Sequence, residues 1–190
     1  MGGYGFRFRA GWWCLDLCST VVWRHVGPVE LLRQPADLAR WLLEAQLIDE
    51  PVEVGDAELE SARSLREAVY RLSIAHLAGD PLPAPEVATV NEMAARPSRF
   101  PQLTAAGQAC LRDPRPVSGA IAAMAAECIE LLTGPLSGRL RECAAADCAF
   151  LFVDTSRPGR RRWCAQNRCG NRHHVREHRA RAAKREARTP

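Results

Sequence analysis

Four cysteines near the C-terminal end constrain this chain more than any other feature. Cys143, Cys148, Cys164 and Cys169 follow the spacing C-x4-C-x15-C-x4-C. Two close pairs around an insert of hairpin length form a metal-binding pattern, because each pair can bite one ion from a tight turn. Four thiolates suit a tetrahedral Zn²⁺ and leave no open position for a catalytic water. The expected cofactor is therefore one structural Zn²⁺. A disulfide framework and an iron–sulfur cluster compete less well. The chain reads as cytoplasmic, and the flanks are polar and Arg-rich rather than an apolar shell around a cluster.

The insert fits this reading. Residues 149–153 (AFLFV) suit a short strand, residues 155–159 (TSRPG) have turn composition, and residues 160–163 can return as a second strand. Gly170 and Asn171 then allow a sharp entry into a helix over about residues 171–187. Knuckle, hairpin and a helix behind the last ligand make a small treble-clef-like zinc finger.

Charge divides the chain at the same place. From residue 157 to 190 there are 11 Arg and one Lys against two Glu, a net +10, while the first 156 residues carry 14 Arg against 20 acids, a net −6. A basic end on an acidic body predicts a polyanionic partner for the end only. The candidate nucleic-acid contacts are Arg160, Arg161 and Arg162 on the hairpin, Arg168 in the second knuckle, and Arg172, Arg176, Arg179, Arg181, Lys184 and Arg185 on the helix. A helix can enter the major groove, where Arg pairs bidentately with guanine, whereas hairpin arginines more naturally hold phosphates. Arg141, Arg162, Arg168 and Arg172 also lie close enough in sequence to offset the formal −2 of a Zn(Cys)₄ centre.

The remaining 136 residues read as a helical body. Leu38, Trp41, Leu42 and Ala45 mark a helix over about residues 36–48, with Pro35 suited to its first turn. The longest helix starts near Asp56 and stops at Gly79, before Pro81, Pro83 and Pro85. Further helices are expected over about residues 85–95 and 117–133, with a hairpin around Gly107 between them. At the N-terminus, Phe6 and Phe8 alternate with Arg7 and Arg9, which predicts a strand, and residues 12–17 are the expected return strand. Cys14, Cys18, Cys110 and Cys128 read as small buried residues. The expectation is thus a mainly α chain, with a multihelical domain over 1–136 that begins with a short β-hairpin, and a finger with its basic helix over 137–190. No stretch reaches the roughly 20 apolar residues of a membrane span.

These motifs resemble a known family. Cys169-Gly170-Asn171-Arg172 reads CGNR and, with the upstream cysteines and Trp163 before Cys164, is similar to the CGNR zinc finger. The body resembles the ABATE domain that accompanies it. There residues 14–20 (CLDLCST) match the CLDF-x-NT signature but carry Cys18 and Ser19 where an apolar residue and Asn are usual. The resemblance implies a stress-induced bacterial transcription regulator whose finger binds DNA. On that reading the chain is not an enzyme and has no catalytic residues. It works in the cytoplasm at the nucleoid on double-stranded DNA, has no membrane partner, and can form a homodimer. An RNA- or ribosome-associated zinc protein and a zinc-stabilised protein-interaction module are the alternatives. A His-Asn-His nuclease built on Asn171, His173 and His174 would need acid groups for a second metal, and only Asp154 is at hand.

Overall fold

The computed structural model describes residues 5–96, 100–112 and 115–186. The expected helices are present: α2 (Pro35–Glu44), α3 (Asp56–Ala78), α4 (Ala84–Ala94) and α5 (Pro116–Thr133). Local chemistry sets their ends. Asp37 accepts the N–H groups of Arg33 (3.0 Å) and Gln34 (3.1 Å) at the start of α2. Glu58 accepts that of Gly55 (2.9 Å) at the start of α3. Gly79, at φ +75°, closes α3 in the left-handed conformation that glycine adopts without a Cβ clash. The hairpin around Gly107 is β3 (Phe100–Leu103) against β4 (Ala109–Arg112), in antiparallel register.

The N-terminus departs from expectation. Trp13–Cys18 is a helix, α1, and not a return strand. Cys14, Leu15, Asp16, Leu17 and Cys18 are all buried, so burial does not alternate along the stretch as it would on a half-buried strand. The Cys14 N–H at its open end donates to Glu127 on α5 (2.7 Å), which satisfies a donor that a helix start leaves orphaned. Residues 6–9 form no strand. The short N-terminal hairpin lies further on, where β1 (Val21–Val22) pairs with β2 (Val29–Glu30). Arg66 of α3 draws it onto the body. This side chain is buried, bonds Glu30 at 2.6 and 2.7 Å, and reaches Thr20 at 3.0 Å.

Helices α1, α3, α4 and α5 bury one another around Leu15, Leu65, Leu72, Ile121, Met124 and Leu131, and α2 adds Trp41 and Leu42. Helix α5 has the length and apolar content of a membrane span, but half of it is buried in this core. Cys14, Cys18 and Cys128 are buried thiols, and burial pushes the Cys128 thiol up to about 12. The side chain of Cys110 lies outside the described residues.

A one-turn 3₁₀ segment (Ser137–Arg139) leads into the C-terminal part. Strand β5 (Leu140–Glu142) pairs with β6 (Leu151–Val153), with Leu140 opposite Val153. Contrary to expectation, residues 160–163 form no strand, and the partner of the AFLFV segment precedes the first knuckle. The hairpin encloses the first cysteine pair. Its inward residues Leu140, Phe150, Leu151, Phe152 and Val153 belong to the same continuous core as the helices. The Val153 N–H donates to the Ala10 carbonyl (3.3 Å). Helix α6 (Asn171–Glu186) follows the last ligand, as expected for a treble clef.

Candidate metal centre and basic face

Backbone geometry forms both knuckles. Cys143 directly follows β5 and Cys148 stands three residues before β6. Between them the Cys143 N–H donates to Phe150 O (2.9 Å) and the Cys148 N–H to Ala145 O (2.8 Å). The second knuckle winds into a single π-turn, Gln166–Gly170, in which the N–H groups of Cys169 (3.0 Å) and Gly170 (3.3 Å) share the Ala165 carbonyl. That turn delivers Cys169 at the foot of α6.

All four sulfurs lie within 4.8 Å of one another and all four residues are buried. In a tetrahedron of Zn–S bonds near 2.3 Å the sulfurs stand about 3.8 Å apart. Cys148 to Cys164 measures 3.9 Å and Cys164 to Cys169 measures 3.6 Å. The donor set therefore fits zinc. Proton chemistry agrees. The Cys143 thiol is held low, to about 2, by hydrogen bonds from Cys148 and Cys164, and the same contacts push Cys148 up to about 12 and Cys164 higher still. Four thiolates cannot share this space without a cation between them. Zinc would be held by these four residues and would supply folding energy rather than reactivity.

The surroundings brace the centre. The Cys164 N–H points at Cys143 Sγ (3.4 Å), and Arg172 Nη2 lies 3.3 Å from Cys169 Sγ. Asp147, inside the first knuckle, accepts from Arg172 (3.3 Å) and Arg176 (3.1 Å) and so ties α6 back over the metal loop. Asp154 is covered and accepts the N–H groups of Ser156 (2.9 Å) and Arg161 (2.8 Å). The Ser156 contact holds its carboxyl down near 2. It shapes the loop that turns at Gly159, which has φ +61°, and its oxygens face backbone rather than a metal-binding histidine.

The expected basic residues divide into two groups. Arg161 turns inward: it bonds the carbonyls of Trp163 and Cys164 and lies over the Phe152 ring at 4.5 Å. With Arg172 it braces the finger. Arg141 likewise bonds the carbonyls of Gly138 and Leu140. Arg160, Arg162, Arg168, Arg176, Arg179 and Arg181 are exposed. The side chains of Lys184 and Arg185 lie outside the described residues. A groove beside α6 gathers Arg168, Arg172, Arg176 and Arg179 with Asn167 and Trp23. Sequence reasoning missed Asp147, whose only signal was an acid inside the knuckle, and Trp23, which arrives from the N-terminal hairpin.

Residues 11–135 match the ABATE model, described as "Putative stress-induced transcription regulator". Residues 139–182 match the CGNR zinc finger. The chain belongs to the ABATE family and carries a CGNR zinc finger behind the ABATE domain. No curated protein matches it.

Proposed function

We propose that this protein is a non-enzymatic transcription regulator that binds double-stranded DNA at the nucleoid through its zinc finger. One observation carries the reading: the zinc centre presents α6 and the knuckle loop with six exposed arginines, on a segment of net +10 attached to a body of net −6. A helix fits the major groove, so Arg176 and Arg179 are assigned to base edges. Arg160 and Arg162, on the loop, are assigned to phosphates. The ABATE domain is then the sensing or dimerising part.

Selection of bound sequences from random duplex DNA, with an RNA pool in parallel, tests this. The expected result is a recurrent duplex sequence. Affinity should fall with salt at a slope of roughly −4 to −5, as for about five phosphate contacts. Enrichment from the RNA pool alone would move the finger to an RNA-associated role. No binding to either pool at low salt would make it a protein-interaction module.

A further inference from the structure

We propose that the seam between the N-terminal segment and the zinc finger is a binding site for a phosphate group. A small cavity opens there, about 30 Å³ to the centres of water-sized occupants, which is room for about two water molecules or the leading oxygens of one tetrahedral anion. Arg7 and Arg9 line it from the segment before α1, and Arg168 and Arg172 from the finger. Arg172 is already engaged with Asp147 and Cys169. The side chains of Arg7, Arg9 and Arg168 make no hydrogen bond or ion pair among the described residues.

The charge does not balance without a ligand. Four arginines line the cavity together with Asp147 and, with zinc bound, a centre of formal charge −2, a balance of +1. An anion accepting from Arg7, Arg9 and Arg168 would offset that excess. Guanidinium forks arriving from two directions match a tetrahedral oxyanion better than a planar carboxylate. Trp23, on the wall, holds a left-handed backbone at φ 60°. Such strain in a bulky residue persists only where the surroundings enforce it, and it clusters at ligand sites.

The phosphate can be free, on a small ester, or part of a nucleic-acid backbone running along the α6 groove, which shares Trp23, Arg168 and Arg172 with the cavity. The proposal does not depend on DNA binding. Its test is calorimetric titration of the zinc-loaded full chain with inorganic phosphate at constant ionic strength. The expected result is saturable one-to-one binding, weakened about tenfold to hundredfold by Arg7→Gln or by Arg168→Gln, since each removes charge-assisted hydrogen bonds. Arg71→Gln, outside the cavity lining and paired with Glu86, should change nothing. Retained zinc and unchanged circular dichroism check folding, and Arg9→Gln replaces either variant if it fails that check. A short duplex that displaces phosphate identifies the backbone as the source, and independent binding identifies a free or small phosphate. Absence of saturable binding up to about 10 mM phosphate, or equal binding by all the variants, would overturn the proposal.

Discussion

The carboxyl of Asp16 offers a sharp test of how the N-terminal segment is held. It is only 5% exposed, and its Oδ1 accepts the N–H groups of Arg9 (2.8 Å) and Ala10 (2.9 Å). Burial outweighs those bonds and pushes its pKa up from 3.8 to about 6. The folded chain therefore holds a proton that the unfolded chain releases between those values. Stability from this group is present below the unfolded pKa and is lost as pH rises through the folded one. Two pH units correspond to about 3 kcal/mol. Asp16→Asn keeps an acceptor for both N–H groups and carries no charge. Its stability relative to the parent should rise by about 2–3 kcal/mol between pH 4 and pH 7. Urea unfolding at several pH values measures this. Zinc release in acid affects both proteins equally and drops out of the difference. Asp16→Ala strands both N–H groups and should cost about 2–5 kcal/mol at pH 4, where the parent carboxyl is neutral. A parent–Asn difference that does not change with pH would refute the argument.

Other outcomes follow from the same structure. Cys164→Ser, or a strong chelator, should release about one zinc per chain. Because β6 shares the helical core, hydrogen exchange should also quicken at Val153, whose N–H meets Ala10; unchanged protection there would argue for an independent finger. Phe152, fully buried under Arg161, should cost about 3–5 kcal/mol as Phe152→Ala in urea unfolding. Arg161→Ala should lower thermal stability and zinc retention. Arg160→Ala and Arg162→Ala should leave both intact and each flatten the salt slope of DNA binding by about one.

The sequence carried the helices because their signals are local. The stripe from Leu59 to Leu72 and the stop at Gly79 need no tertiary information. The zinc ligands were equally legible, since spacing alone limits what four thiols can do. What failed depended on partners far away in sequence. The stretch Trp13–Cys18 is only six residues long and buried from Cys14 onward, so periodicity could not separate strand from helix. The deciding contact is Glu127, 113 positions from Cys14. The AFLFV segment read correctly as a strand, but its partner Leu140–Glu142 is three residues long and shows no alternation. Strands β1 and β2 are two residues each, too short for any pattern.

Composition also hid a division of labour among the arginines. A count of basic residues treats Arg161 and Arg160 alike, yet Arg161 has its guanidinium on the carbonyls of Trp163 and Cys164. Arg172 sits between Cys169 and Asp147, offsetting the charge that four thiolates bring to the centre. A lysine could supply that charge but not the planar fork that reaches two partners at once. The zinc centre thus needs part of the basic segment for its own stability, and the exposed remainder faces outward because Asp147 and the π-turn fix where α6 leaves the metal. Removing the metal would therefore scatter the very arginines that make the end of the chain attractive to a polyanion, which couples zinc binding to recognition through geometry rather than through charge.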